Sequence, residues 1–236
     1  MIVIYDFDGT LTPYSLPQYE IIKKCGYNEE KLINRVAEEL TNSKGLYEAY
    51  YKCYTEILLE NNILLTKENV CLGADKVKFN NGVIEYFKNF QSRKTGVKHY
   101  IVTSGIKDYV NKTVIGKYVD GVYGVTFNEE NGIYKDIDIL LTDKKKVDVI
   151  KHVQKDNKET NNIIYFGDGL TDSFAFEYVH SIGGKNVFIA KKKESKETYK
   201  KLNVKGIIDK CFEPDFSMDS ELSKYIQTQI EEEKCK

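Results

Sequence analysis

Apolar positions fall along this chain in two alternating rhythms: short unbroken runs, and stripes spaced three and four residues apart. Ile2 to Tyr5 is an apolar run rich in β-branched residues that stops at Asp6-Phe7-Asp8-Gly9-Thr10, the pattern of a buried strand followed by a loop. Tyr100-Ile101-Val102 ends in the same way at Thr103-Ser104-Gly105, and Ile163 to Phe166 runs into Gly167-Asp168-Gly169-Leu170-Thr171-Asp172. Further strands are expected around Asn186 to Ile189 and, briefly, at Gly206 to Ile208. A hairpin is expected where Val122 to Phe127 turns through Asn128 to Gly132. Helical spacing fills the intervals: Val83, Ile84, Tyr86, Phe87 and Phe90, a helix from about Lys107, the face of Val147, Ile150 and Val153, and a closing stripe of Leu222, Tyr225, Ile226 and Ile230.

From Pro13 to Phe79 the pattern is helical throughout. Leu32, Val36 and Leu40 follow a capping Asn28, and Leu46, Tyr50, Tyr51, Tyr54 and Leu58 follow Ser43. Strands alternating with helices over short crossovers predict an α/β fold with a Rossmann-like parallel sheet, doubly wound rather than closed into a barrel. The expected organisation is a core formed by residues 1–12 and 80–236, with residues 13–79 inserted after the first strand as an α-helical cap.

Composition narrows the classes. With 236 residues, 41% hydrophobic and 30% charged, the chain can bury a full core and matches neither a disordered nor a membrane protein. A net charge of −1 and a pI near 6.4 give no basic footprint for nucleic acid or anionic lipid. Five cysteines without a C-x-x-C pair read as reduced thiols of a cytoplasmic protein. Asp6 interrupts the first apolar run, so no leader peptide is expected. No run is long enough for a membrane helix, and Cys235 is misplaced for prenylation.

In open parallel sheets, ligands bind beyond the carboxyl ends of the strands. The residues at those ends are Asp6, Asp8, Thr103, Asp168 and Asp172. Carboxylates converging on one site repel unless a cation neutralises them, and hard oxygen ligands suit Mg²⁺. An EF-hand reading of Asp6-Phe7-Asp8-Gly9 fails, because Leu11 stands where that loop needs glycine and Pro17 where it needs glutamate. Gly183-Gly184-Lys185 lacks the remainder of a P-loop and reads as a turn.

Asp6-Phe7-Asp8-Gly9-Thr10 resembles the first signature of the haloacid dehalogenase (HAD) phosphatases, and Gly167-Asp168-Gly169-Leu170-Thr171-Asp172 resembles their fourth. Thr103 resembles the second. Lys144, Lys145 and Lys146 are candidates for the third, with Lys146 favoured by its offset from the helical run behind it. The resemblance implies a Mg²⁺-dependent phosphomonoesterase acting on a small phosphorylated metabolite. Asp6 would be the nucleophile and Asp8 the acid, then base, of a two-step displacement through an aspartyl phosphate. Gly9, Thr103, Ser104 and Lys146 would receive the phosphoryl group. The metal would be held by Asp6, the Asp8 carbonyl and Asp168, with Asp172 in support. Asp8 disfavours a dehalogenase, which lacks an acid there. A phosphomutase would share every motif, and a non-catalytic phosphate-binding protein of the same fold is the remaining alternative.

In overall plan the resemblance is nearest to phosphoserine phosphatase. The chain departs from it in carrying Ser15 where that enzyme has a glutamate and Tyr54 where its cap has an arginine, which speaks against phosphoserine as substrate. Tyr47, Tyr50, Tyr51 and Tyr54 form a stripe read as the cap's own core rather than a stacking surface. Arg35 is read as a salt-bridge partner rather than a substrate clamp, and His99, His152 and His180 as packing or surface residues.

Overall fold

The computed structural model describes residues 1–14, 16–17, 19–93, 96–191 and 193–234. Strand β1 (Ile2–Tyr5) is followed by a helical block of α1 (Glu20–Lys24), α2 (Glu29–Glu39), α3 (Leu46–Glu60) and α4 (Lys67–Val70). The chain continues through α5 (Val83–Arg93), β2 (Lys98–Ile106), α6 (Lys107–Lys112), β3 (Gly121–Glu130), β4 (Ile133–Ile139) and α7 (Asp143–Asp156). It ends with β5 (Ile163–Gly167), α8 (Ser173–Ser181), β6 (Lys185–Ile189), α9 (Lys193–Leu202), β7 (Lys210–Phe212) and α10 (Glu221–Lys234). Among the described residues the strands form one seven-stranded sheet in the order β4-β3-β2-β1-β5-β6-β7, parallel except for the β3–β4 hairpin. This is the doubly wound α/β arrangement that the alternating pattern predicts.

β1 runs through the centre, so both of its faces are covered. Ile2 and Ile4 belong to the apolar cluster that includes Ile150, Val153 and Phe176 of α7 and α8. Val3 and Tyr5 belong to the opposite cluster, with Tyr86 and Phe87 of α5 and Ile226 and Ile230 of α10. A run apolar at every position, rather than at alternate ones, is what burial on both faces requires. The helical block has its own tyrosine-rich packing: Tyr19 lies edge-on to Tyr54 at 5.4 Å, and Tyr50 to Tyr51 at 5.1 Å. Tyr50, Tyr51 and Tyr54 are buried and serve as core, whereas Tyr47 at the start of the stripe is only half-buried and, with Tyr50, lines the cavity at the strand ends.

Asn80 ties the two chain segments joining block and sheet, its side-chain amide donating to the carbonyls of Thr10 at 2.8 Å and Thr12 at 3.1 Å. On the far side, Tyr134 N donates to Leu65 O at 2.7 Å, and Thr66 bridges Ile133. No helix among the described residues is long and apolar enough to cross a membrane, and Cys25, Cys53 and Cys71 are thiols outside any disulfide.

One strand is displaced from its expected place. Gly206 takes a left-handed conformation (φ 66°) that ends the preceding turn, and Ile207 and Ile208 are buried without joining the ladder. Asn186 captures the Ile207 carbonyl through its side-chain amide at 2.8 Å, so β7 starts at Lys210. The apolar pair marks burial here, not strand. The expected helix after Ser43 starts at Leu46, with Gly45 at its N-cap.

His99 is buried between Tyr5, stacked at 5.9 Å, and Phe90 at 4.8 Å, with its Nδ1 3.0 Å from the Tyr5 hydroxyl. Burial pushes its pKa down to about 4, against the opposing pull of Asp120. The unfolded chain takes up this proton near pH 6.5 and the folded one only near 4, so the stabilisation is complete above about pH 6.5 and is lost as the pH falls towards 4. Denaturant titrations of His99→Phe should lack most of this acid-side decline, which amounts to roughly 3 kcal/mol in the parent; equal slopes for both proteins would remove His99 as its source.

Candidate active site

Strand register brings the motif residues together. Tyr5 is level with Phe166 of β5 and Ile101 of β2, and Asp6 N extends the ladder by donating to Phe166 O at 2.8 Å. The loops leaving β1 and β5 therefore open at one edge of the sheet, beside the last residues of β2, which runs on through Thr103 and Ser104 to Ile106 past a break in register after Val102 instead of ending before Thr103. There Asp6, Asp8, Thr103, Ser104 and Asp168 line a common cavity with Lys146.

Lys146 arrives from α7. With Ile150 and Val153 it lies on the buried face of that helix, whereas Lys144 and Lys145 are exposed. Its Nζ donates to Asp6 Oδ1 at 3.0 Å and Asp172 Oδ1 at 2.8 Å. Burial opposes the Lys146 charge, but Asp172 and Asp6 outweigh it and hold the pKa well above the ordinary range. Asp172 is wholly buried. Its Oδ1 also accepts from the Tyr165 hydroxyl at 2.7 Å, and its Oδ2 from the amides of Asp168 and Gly169 at 3.1 and 3.3 Å. Each oxygen already accepts two hydrogen bonds, which fits a supporting role better than direct ligation.

Carboxylate oxygens of Asp6, Asp168 and Asp172 lie within 4.8 Å of one another. Burial pushes the Asp6 carboxyl well above its ordinary range, opposed by Lys146 and reinforced by Asp172 and Asp168. Burial and the neighbouring Asp168 push Asp8 up to about 7. Asp168 is pushed up to about 6 by burial, while Lys191, 3.4 Å away, pulls it down. Buried carboxylates under this strain are what a hard divalent cation relieves, and the all-oxygen donor set fits Mg²⁺.

Gly9 takes φ 90°, and a Cβ placed there would lie 2.2 Å from Asp168 Oδ2. The glycine makes room for this carboxylate first, a closer constraint than the approach to phosphate expected from the motif. Thr10 Oγ1 donates to Asp168 Oδ1 at 3.4 Å. Thr103 Oγ1 accepts from Gly105 N at 2.9 Å, and the buried Ser104 hydroxyl has no hydrogen-bond partner among the described residues.

Lys191 carries no motif and was not among the sequence candidates, although it lies two residues beyond the end of β6, where the strand-end rule points. Tyr165 is masked in the sequence by the apolar run around it. The helical block is docked over the site by Tyr51, whose hydroxyl donates to Ser104 O at 2.7 Å, and by Tyr19, whose hydroxyl accepts from Ile106 N at 2.7 Å. Arg35 stands apart from the cavity, paired with Glu56 at 3.1 Å and Glu60 at 2.6 Å. Tyr54 is buried in the tyrosine cluster, and Ser15 lies outside the described residues. His152 is exposed beside Asp156 and His180 is exposed on α8, so neither enters the site.

The fold is that of the HAD hydrolases. The chain is similar to a phosphoserine phosphatase solved as a phospho-aspartyl intermediate analogue, with 19% identity, a TM-score of 0.64, and 96% of this chain and 97% of that one covered. It is also similar to a HAD family hydrolase from Salmonella enterica serovar Typhi (16% identity, TM-score 0.64, 93% and 72% covered). A third similar structure is a putative β-phosphoglucomutase from Thermotoga maritima (15% identity, TM-score 0.56, 96% and 98% covered). No protein-family model matches the sequence, and no curated protein matches it. By fold, the chain is phosphoserine-phosphatase-like.

Removing one partner from a buried ion cluster leaves uncompensated charge, typically a loss of 3–5 kcal/mol. Lys146→Met should therefore lower the unfolding free energy by about 3 kcal/mol in urea at pH 7 with EDTA, a deficit that shrinks in acid as the carboxylates take up protons. Unchanged stability would mean that the cluster is already neutral.

Proposed function

We propose that this chain is a Mg²⁺-dependent phosphomonoesterase that hydrolyses a small phosphorylated metabolite through an aspartyl phosphate on Asp6. The observation carrying this reading is the convergence of Asp6, Asp8, Lys146 and Asp168 on one half-open cavity at the strand ends. Phosphate esters repel nucleophiles, so catalysis consists mainly in positioning and in offsetting charge.

Asp6 attacks phosphorus, its new oxygen–phosphorus bond replacing the bond to the ester oxygen. Asp8, with a pKa near 7, can hold a proton at neutral pH and gives it to the departing alkoxide. It then takes a proton from the water that attacks the aspartyl phosphate, releasing inorganic phosphate and restoring Asp6. Lys146 steadies Asp6 and offsets phosphoryl charge, while Thr103 and Ser104 supply hydroxyl donors. Asp6, the Asp8 carbonyl and Asp168 would hold Mg²⁺, which when bound would offset negative charge on the phosphoryl oxygens. Asp172 and Lys191 position Lys146 and Asp168, respectively.

Residues 13–79 act as the cap, and the partial cover they provide favours small diffusible esters over phosphoproteins or nucleic acid. A cytoplasmic setting suits the free thiols. The mutase reading shares the first chemical step, but a bisphosphate intermediate needs cations for its second phosphate. Lys146 supplies the only positive charge among the described residues lining the cavity. A phosphate-binding protein without turnover would have no use for an acid at Asp8.

Phosphate release from a panel of esters should require Mg²⁺, stop with EDTA, and fall at least 1,000-fold in a folded Asp6→Asn variant, on the order of the loss seen when a catalytic nucleophile is removed. Retained activity in that variant would sink the covalent route.

A further inference from the structure

The cavity above Asp6 encloses about 560 Å³, within the range of small-molecule sites, and its polarity is divided. Its floor carries the charges: Asp6, Asp8, Lys146 and Asp168. Its roof is built by α2, α3 and the turns beside them, and presents Leu32, Ile33, Val36, Leu40 and Leu46. Ile33, Leu40 and Leu46 remain 45%, 41% and 49% exposed, an apolar surface facing the site with nothing covering it among the described residues.

The charged residues of α2 serve another face. Arg35 pairs with Glu56 and Glu60, and Glu39 with Lys52. No charged side chain of the helical block lines the cavity among the described residues. Every charge that does line it is already committed to phosphoryl transfer. A substrate carboxylate, ammonium or second phosphate would be desolvated against the roof without a partner, which is costly. Tyr50 offers a neutral group, a buried hydroxyl without a hydrogen-bond partner among the described residues, while the Tyr47 hydroxyl is taken by Asp143.

From this division we infer that the substrate is the phosphate monoester of an apolar alcohol, alkyl or aryl, with no charge outside its phosphate. The inference rests on the phosphomonoesterase reading and supplies its substrate class. The ester oxygen lies at Asp8 and the carbon body against Ile33, Leu40 and Leu46, exchanging water on both surfaces for contact. Burial of one methylene is worth about fourfold in affinity.

The test is a homologous series from methyl to hexyl phosphate, with phenyl phosphate, O-phosphoserine and glucose 6-phosphate, on the full chain with Mg²⁺. Binding of methyl- and hexylphosphonate, which cannot be hydrolysed, is measured alongside by calorimetry. The expected result is a rise in kcat/KM of about fourfold per added methylene until the cavity is filled, with phosphoserine and the sugar phosphate at least tenfold below hexyl phosphate. Hexylphosphonate should bind more tightly than methylphosphonate. Ile33→Ser combined with Leu46→Ser, both at half-exposed positions that tolerate a polar side chain, should flatten both trends.

Phosphate release without a gain along the series, or a preference for phosphoserine, would overturn the apolar assignment and leave the phosphatase reading standing. Tighter binding of hexylphosphonate with no release from any ester would do the reverse. Equal binding of the two phosphonates would remove the apolar site on its own.

Discussion

The structure turns on one buried cation. Lys146 places its ammonium between Asp6 and Asp172 where almost no water reaches, and it opposes the burial and the neighbouring carboxylates that push the Asp6 carboxyl up. That placement fixes the geometry around it. α7 must lie across the strand ends with its Lys146–Ile150–Val153 face inward, and the loop after β5 must fold back so that Asp172 receives the amides of Asp168 and Gly169. Gly9 must then lack a side chain, because Asp168 occupies the space a Cβ would fill. Each motif residue has its place because the lysine has one.

A rigid floor positions a substrate only if the roof is held in register with it. Here the register comes from contacts between the helical block and the strand-end backbone. Tyr51 bonds the carbonyl of Ser104, Tyr19 the amide of Ile106, and Asn80 clasps both connecting segments. Both tyrosines also belong to the packed interior of the block. One set of rings thus builds the block's core and docks it on the site, so loss of either ring would disturb both.

Much of this was legible in the sequence. Apolar runs ending at polar clusters located β1, β2 and β5, and the residues at or just past the ends of those runs line the candidate site, although β2 itself continues through Thr103 and Ser104. Among Lys144, Lys145 and Lys146 the resemblance favours Lys146 by its offset, and in the structure only Lys146 shares the buried face of α7 with Ile150 and Val153. What the sequence hid has physical causes. Lys191 acts through the lateral neighbourhood of β6 and β5, and strand order is not written locally. Tyr165 looks like any core aromatic until its hydroxyl finds Asp172. Ile207 and Ile208 looked like a strand because burial alone produces an apolar pair, while the side chain of Asn186 took up the carbonyl that a ladder would have used.

The division between charged floor and apolar roof has a consequence for selectivity that charge pairing could not give. A cap that clamps its substrate with an ion pair rewards one complementary group, and it discriminates by attraction. An apolar cap over a charged floor discriminates by desolvation: it accepts apolar bodies of suitable size and penalises any substrate that brings a second charge or hydroxyls left without partners. The same exclusion of water would strengthen the electrostatics among Asp6, Lys146 and the phosphoryl group of the proposed substrate. Covering the exposed Ile33, Leu40 and Leu46 would therefore both select the substrate and sharpen the chemistry, because a ligand that fills the roof also removes water from the floor.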